Sequence, residues 1–224
     1  MGEILVLGDS LAFGRPKHGV CRDLTWPYLM SQELNCKLQF RAHGGASVID
    51  VMKESRILND YWFGGLNARK FDAVFIQAGI VDCCPRLVPR RLRRYVKKMP
   101  GFTRLERSPL AYNLIGRSWT SKTSFYHAVS DLVRILSGMA KTTFFVKIAS
   151  PANHLVKNVG DFTEVVDSYN ELIRKVVGRE FLVDWQVEAS DKIHILADGH
   201  HLTALGHQRV ADACVDKYQS WLLR

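Results

Sequence analysis

Glu3-Ile4-Leu5-Val6-Leu7-Gly8-Asp9-Ser10 is the stretch that decides the fold of this chain. Its apolar residues follow one another without a polar interruption, and a Gly-Asp-Ser turn ends the run. Such a run is typical of a short strand that is buried on both faces of a parallel sheet. The sequence therefore predicts a first strand over 4–7, with Ser10 placed at its carboxyl end.

Strand-like and helix-like patterns alternate along the rest of the chain. This alternation predicts an α/β fold in which helices cover both faces of a five-stranded parallel sheet. The further predicted strands are 38–42, 73–77, 143–149 and 181–184, and the predicted helices are 26–34, 48–58, 125–139, 162–177 and 205–223.

The composition fits one soluble domain. A chain of 224 residues is long enough for one well-buried core and short for two, so we expect a single domain over 1–224. No apolar run reaches the ~18 residues of a membrane helix, and no signal peptide is expected at the N-terminus. The five cysteines are an odd number without metal-type spacing, which favours reduced thiols, a cytoplasmic location and no metal site.

One segment carries almost the whole net charge of +9. Between Arg86 and Arg107 there are nine Lys or Arg and one acid, a contribution of +8. Residues 84–124 also fit the strand–helix alternation worst, so we interpret them as a basic insertion or lid beside the site, with the arginines at 90–94 exposed.

Three interpretations of this basic segment remain open: a solvated surface, a contact for an anionic substrate, and a contact for a nucleic acid or an anionic membrane surface. Tyr95 is the only aromatic residue between Arg86 and Lys98, and single-stranded nucleic acids bind by stacking on aromatic rings. Nucleic acid is therefore not favoured, whereas peripheral membrane contact stays an alternative.

A second informative stretch lies near the C-terminus, at Asp198-Gly199-His200-His201. Together with Ser10 it provides a nucleophile, a base and an orienting carboxylate, the three parts of a serine hydrolase site. We assign Ser10 as the nucleophile, His201 as the base and Asp198 as the group that orients the base. His200 is the rival base.

These stretches resemble the motifs of the SGNH (GDSL) hydrolase family. The first motif is matched by Gly8-Asp9-Ser10-Leu11, and the last, Asp-x-x-His followed by Leu-Thr-x-x-Gly-His, by Asp198 to His207. The resemblance implies a flavodoxin-like three-layer sandwich that performs acyl transfer with the serine as nucleophile. It runs from the first strand to the last helix, apart from residues 84–124.

The same resemblance implies where an oxyanion hole would lie. The backbone N–H of Ser10, expected at a helix start, and that of Gly45 within His43-Gly44-Gly45-Ala46 would be two of its donors. The third motif departs from the family: Gly79-Ile80-Val81-Asp82 has valine where the family has an asparagine donor. Asn153 or His154 is a candidate replacement for that donor, and Asp82 is expected to have a structural role.

The predicted function is a serine-dependent acyl hydrolase or acyltransferase of the esterase, thioesterase or sugar O-deacetylase/acetyltransferase type. It would act without a cofactor on an acylated small molecule or glycan that can be anionic. One alternative is a non-catalytic binding protein of the same fold, which the retention of all three triad residues disfavours. The other is a binder of an anionic polymer or membrane surface through the basic segment.

Overall fold

The structure is a computed structural model that describes residues 2–63, 71–102, 108, 110–111, 114, 116–151, 162–185 and 193–224. Within these ranges, no helix is both long enough and apolar enough to cross a membrane. The elements in chain order are β1 (Glu3–Gly8), α1 (Trp26–Glu33), β2 (Lys37–Ala42), α2 (Val48–Phe63), β3 (Ala73–Gln77), α3 (Ile80–Cys83), α4 (Arg90–Val96), α5 (Lys122–Ser137), β4 (Thr143–Val146), α6 (Phe162–Val177), β5 (Leu182–Val183) and α7 (Ala204–Leu222).

The five strands form one parallel sheet in the order β2-β1-β3-β4-β5. This is the flavodoxin-like strand order, in which ligands bind beyond the carboxyl ends of the strands at the point where the order reverses. β1 lies at that point, because its neighbours β2 and β3 lead away in opposite directions. The predicted α/β fold with a five-stranded parallel sheet is confirmed, and Ser10 follows the strand that starts the reversal.

Each central strand buries both of its faces. In β1, Leu5 and Leu7 belong to the apolar cluster under α2, α5 and α6, whereas Ile4 and Val6 belong to the cluster under α1 and α7. All four side chains are almost fully buried. The side-chain period of a strand is two, so a strand covered on both faces must be apolar at every position, as 4–7 is.

Helix α7 brings the last loop of the chain to the first strand. His207 in α7 accepts a hydrogen bond at Nδ1 from the backbone N–H of Trp26 at the start of α1 (3.2 Å). The Trp26 indole in turn donates to the side-chain oxygen of Gln77 at the end of β3 (2.6 Å). Burial lowers the pKa of His207 to about 4, so it is a neutral acceptor at physiological pH. These contacts fix residues 193–203, which precede α7, beside the carboxyl end of β1.

Strand β4 ends earlier than the sequence predicts, at Val146 instead of position 149. Its neighbour β5 has two residues, so little strand remains beyond Val146 to pair with. The side chain of Asn170 replaces that partner: it accepts from the Ile148 N–H (2.8 Å) and donates to the Ile148 carbonyl (3.0 Å). An apolar run cannot reveal this end, because a buried side-chain amide satisfies the backbone as a strand would.

The basic segment leaves the sheet after α3 and returns before α5. The backbones of Arg86 and Arg117 pair with each other, so the two ends of the excursion lie together. Between them, α4 places Arg90 and Arg93 near the indole of Trp119. Arg86 also lies near this ring. The expectation that the arginines at 90–94 are exposed is wrong for Arg93, which is half-buried. The single-domain assignment and the insertion over 84–124 stay predictions.

Candidate active site

Ser10 follows β1 at the start of one 3-10 turn, Ser10–Ala12. The Asp9 N–H donates to the Gln77 carbonyl (2.9 Å), which holds the turn against the end of β3. The Asp9 carboxylate accepts from the Leu11 N–H (2.9 Å) and so closes the turn. The expected helix start is therefore a three-residue turn, and the first α-helix begins only at Trp26. The orientation of Ser10 is set by hydrogen bonds of Asp9, and no helix dipole is needed.

Asp9 is fully buried, and burial raises its pKa to about 7. The hydrogen bond from Leu11 works in the opposite direction, and the nearby carboxyl of Asp82 adds to the increase. The second oxygen of Asp9 is buried without a partner in the part of the chain that the structure describes. Holding the Ser10 turn in place thus carries an electrostatic cost near neutral pH.

The loop before α7 presents Asp198 and His201. The Leu196 N–H donates to the His201 carbonyl (2.7 Å), and the Gly199 N–H donates to the Leu196 carbonyl (2.9 Å), so the loop folds back on itself. The Asp198 carboxylate accepts from the backbone N–H of His201 (3.0 Å). These bonds fix the imidazole and the carboxylate three residues apart in one tight turn.

The three predicted side chains lie in a hydrogen-bonded line. His201 Nδ1 is 2.6 Å from Asp198 Oδ2, and His201 Nε2 is 3.1 Å from Ser10 Oγ. Burial alone raises the pKa of Asp198, but hydrogen bonds from the His201 side chain and backbone outweigh it and hold this pKa well below its usual range. Asp198 is therefore ionised at any physiological pH and can hold a proton on Nδ1.

His200 occupies a different position. Its ring is tilted by 42° to that of His201, with 4.1 Å between the centroids, and its Nδ1 lies 3.2 Å from the backbone carbonyl of Asp198. Burial, and then the neighbouring His201, lower the pKa of His200 to about 4. Among the described side chains, it is His201 and not His200 that contacts Ser10.

Gly45 lies in a loop that is tied to the same end of the sheet. The His43 N–H donates to the Gly8 carbonyl (3.0 Å), which joins this loop to the end of β1. Gly45 has φ +75°, a conformation that favours glycine, and a Cβ placed there would meet nothing within 4 Å. Open space therefore lies beside the Gly45 Cα.

Arg90 of the basic segment holds the Gly45 loop. Its guanidinium donates to the Gly45 carbonyl (3.2 Å), to the Ser47 hydroxyl (3.2 Å) and to the Asp50 carboxylate (2.5 Å). Asp50 also accepts from the Ser47 N–H (2.8 Å), so the start of α2 carries a reciprocal cap. Part of the basic segment thus has a structural role that its sequence does not reveal.

The divergent third motif is buried. Gly79 has φ +126° and is the N-cap of α3, and Val81 is 6% exposed within the apolar cluster that also holds Leu11 and Ala46. Leu11 and Ala46 follow Ser10 and Gly45 in the chain, so Val81 packs in the cluster that underlies both turns. The valine contributes to the core and provides no hydrogen-bond donor. Asn153 and His154, the candidate replacements, lie outside the described residues.

Asp82 has the predicted kind of contact with nearby backbone. Its carboxylate accepts from the Val48 N–H (2.8 Å) at the start of α2 and from the Thr120 hydroxyl (2.5 Å). Burial raises its pKa to about 6 despite these two hydrogen bonds. Asp82 therefore joins the third motif to the helix that follows the Gly45 loop.

No protein-family model and no curated protein matches this chain. Solved structures do match over nearly its whole length.

A lipolytic protein of the G-D-S-L family from Veillonella parvula is 13% identical with a TM-score of 0.63, covering 96% of this chain and 97% of that one. An alpha/beta hydrolase from the metagenome of Lake Arreo, Spain, is 18% identical with a TM-score of 0.62, covering 97% and 95%. An acetylxylan esterase from Geobacillus stearothermophilus is 16% identical with a TM-score of 0.58, covering 97% and 94%.

The chain has the SGNH-hydrolase fold. At these identities the likeness establishes the fold alone. It confirms the fold that the sequence motifs imply, while the chemistry has to be argued from the side chains.

One residue of this SGNH fold was not predicted from the sequence. The guanidinium of Arg15 donates to His201 Nε2, the nitrogen that also faces Ser10. A guanidinium has no acceptor, so Nε2 is the acceptor and the imidazole proton lies on Nδ1, toward Asp198. Arg15 lies in an irregular loop five residues after Ser10, where no periodicity or motif marks it. Only the fold could reveal it.

Asp198, His200 and His201 form a cluster of side chains of the types that bind metal ions. Among the described residues, ligand atoms of Asp198, His200 and His201 lie within 4.8 Å of one another, close enough to hold an ion. Asp198 Oδ2 and both nitrogens of His201 already have protein partners. The absence of a metal stays a prediction.

Proposed function

We propose that this protein is a serine-dependent acyl hydrolase or acyltransferase with Ser10, His201 and Asp198 as its triad. One observation carries the proposal: His201 contacts Ser10 through one ring nitrogen and Asp198 through the other, although Ser10 lies 191 positions away in the chain. A chance contact would have no reason to place the tautomer-fixing carboxylate on the opposite nitrogen.

The reaction begins when Ser10 Oγ attacks the carbonyl carbon of the ester. The hydroxyl proton passes to His201 Nε2, and the ionised carboxylate of Asp198 stabilises the imidazolium that forms. His201 then returns the proton to the alkoxide that leaves, and an acyl group remains on Ser10. Water, or a second hydroxyl in a transfer reaction, attacks this acyl-enzyme by the same steps in reverse.

The backbone N–H groups of Ser10 and Gly45 are the proposed donors to the oxyanion. Neither donates to an acceptor in the described part of the chain, and both belong to turns that are fixed at the end of β1. Donors that are held in place before the reaction begins stabilise the developing charge without reorganisation. Val81 leaves the third donor position of the family without a side-chain donor.

The proposed substrate is an acylated small molecule or glycan that carries negative charge. Support for the charge comes from a cavity of about 350 Å³ in the basic segment, which Arg86, Arg90 and Arg117 line together with Trp119. Planar guanidiniums are suited to carboxylates and phosphates. A cytoplasmic location suits the five cysteines, all of which are free.

Binding of an anionic polymer or membrane surface is the second candidate, because the guanidiniums of Arg86, Arg90 and Arg93 all lie within 6 Å of the Trp119 ring centroid. Affinity for heparin or anionic vesicles that falls steeply with salt, in a protein that turns over no ester, would favour it.

The test of the enzyme proposal is hydrolysis of 4-nitrophenyl acetate by the wild type, by Ser10→Ala and by a control, Ser137→Ala, whose hydroxyl lies on an exposed helix end. We expect Ser10→Ala to abolish turnover and Ser137→Ala to leave it unchanged. Wild-type turnover by a folded Ser10→Ala protein would refute the mechanism.

A further inference from the structure

Arg15 lies where the proposed reaction needs an unoccupied lone pair. Its guanidinium donates to His201 Nε2, and the Ser10 hydroxyl lies 3.1 Å from the same nitrogen. Two donors therefore share the one lone pair that must accept the serine proton. In the structure as it stands, the base is occupied by a side chain that takes no part in the triad.

The charge of Arg15 adds to its competition with Ser10 for His201 Nε2. A guanidinium stays protonated at any pH at which the protein is folded. Once Nε2 takes the serine proton, imidazolium and guanidinium would be two cations in direct contact. Arg15 in this position therefore disfavours proton transfer from Ser10 to His201, which is the first step of the proposed reaction.

The surroundings of Arg15 provide no anion for it. Among the described residues, no carboxylate forms an ion pair with Arg15, and its Nε is buried without a hydrogen-bond partner. The side chain as a whole is half-buried. A buried N–H without an acceptor is costly, and a carboxylate or phosphate that engages two guanidinium nitrogens at once would satisfy it.

The position of Arg15 also indicates which part of a substrate would meet it. His201 Nε2 delivers its proton to the oxygen of the leaving alcohol, so a group that contacts Nε2 lies on the leaving-group side. The two backbone donors of Ser10 and Gly45 face the carbonyl oxygen in the proposed mechanism. Arg15 is therefore suited to the alcohol part of an ester and not to the oxyanion.

We propose that Arg15 is a specificity gate for esters whose alcohol part carries a carboxylate or phosphate. The anion draws the guanidinium away from His201 Nε2, and the lone pair becomes available to the Ser10 proton. A neutral ester leaves Arg15 on the base and reacts slowly. This inference rests on the proposed function, because it assigns the substrate class of the same site.

Binding tests the gate without requiring turnover. In the Ser10→Ala protein, calorimetry would compare 3-acetoxybenzoate and 3-acetoxyphenyl phosphate with the neutral methyl 3-acetoxybenzoate. We expect at least tenfold tighter binding of one or both anions, and the preferred anion identifies the group. Adding Arg15→Met should abolish the preference, whereas adding Lys17→Met, which removes an exposed charge from the same loop, should retain it. Equal affinities in Ser10→Ala, or a preference that survives Arg15→Met, would overturn the proposal.

Reactivity provides the second readout. With Ser10 present, Arg15→Met should lower kcat/KM for the preferred anion at least tenfold and raise kcat/KM for the methyl ester. Labelling by a neutral fluorophosphonate should become at least threefold faster. Arg15→Lys keeps the charge but loses the planar guanidinium that can bind an anion through two hydrogen bonds. Its kcat/KM values should lie between those of the wild type and Arg15→Met. This variant replaces Arg15→Met in the test if Arg15→Met does not fold.

The two failures are distinguishable. An equal loss of kcat/KM on both esters in Arg15→Met would mean that Arg15 assists every ester, and the gate would be wrong while the enzyme proposal stood. If the wild type and all Arg15 variants neither hydrolyse esters nor react with the fluorophosphonate, the proposed function fails. The binding comparison then still decides whether Arg15 selects an anion.

Discussion

Two sides of the proposed active site are built in different ways. The nucleophile side consists of the Ser10 turn and the loop over 193–203. It brings together three side chains that the sequence already singles out by residue type and spacing. The oxyanion side, which consists of the Gly45 loop and Gly79–Asp82, relies on backbone donors and has an apolar Val81 where the family has a donor. Its supports are Asp82 and Arg90, which come from outside the Gly45 loop. The proposed triad is thus assigned from side-chain chemistry, whereas the proposed oxyanion donors are assigned from the hydrogen bonds that hold the Gly45 loop in place.

The largest effect is expected on the nucleophile side. His201→Ala should lower kcat/KM for an aryl acetate by at least about 10³-fold, because it removes the base that links Ser10 to Asp198. His200→Ala is the matched control and should cost less than about tenfold, since the His200 ring bonds to the Asp198 backbone and not to Ser10. The measurement is steady-state kinetics of both variants. A larger loss in His200→Ala would reverse the assignment of the base.

The next largest effect is expected on the oxyanion side, where Val81→Asn would restore a side-chain donor. Removal of one oxyanion donor typically costs about 10²–10³ in rate, so Val81→Asn should raise kcat/KM for 4-nitrophenyl acetate at least about tenfold, less than the full amount because the site is buried. Turnover of the natural substrate should not improve. Val81→Ala controls for lost bulk and should bring no gain. A folded Val81→Asn protein without a gain would mean that a third donor already exists or that residue 81 does not face the oxyanion.

Arg90 tests whether the basic segment supports the oxyanion side. Arg90→Met should lower kcat/KM for a neutral ester by roughly 3–10-fold, because the Gly45 loop loses its external hydrogen bonds. Lys97→Met removes an equal charge beyond the end of the same helix and should leave the neutral ester unaffected. Equal losses in the two variants would indicate long-range electrostatics instead of positioning.

The last comparison concerns the stability of the turn that carries Ser10. Burial raises the pKa of Asp9 from 3.8 to about 7, so its contribution to stability is complete below pH 3.8 and is lost as the pH rises through 7. The full loss is at most ~4 kcal/mol. Asp9→Asn cannot ionise, and its melting temperature should therefore fall less than that of the wild type between pH 5 and pH 8.5. Parallel pH profiles of the two melting temperatures would contradict a raised pKa for Asp9 in the folded protein.

The sequence predicts the two sides of the site unequally well, for a physical reason. Strand β3 and helix α6 begin and end where predicted, because apolar periodicity reflects burial directly. Ser10, Asp198 and His201 could be proposed as a triad from the sequence because the proposed chemistry requires those residue types, and the structure brings the three side chains together. The contacts of Arg15 and Arg90 could not be proposed, since they join irregular loops through long side chains, and neither periodicity nor spacing records such a contact.

The most direct test of the central claim is to find which residue a fluorophosphonate modifies. The wild-type protein would be treated with the probe and mapped by peptide mass spectrometry, beside Ser10→Ala and His201→Ala. The account predicts one modified peptide carrying the label on Ser10, strongly slowed labelling in His201→Ala, and none in Ser10→Ala. A label on another residue, or equal labelling of a folded His201→Ala protein, would contradict a nucleophile at Ser10 that His201 activates.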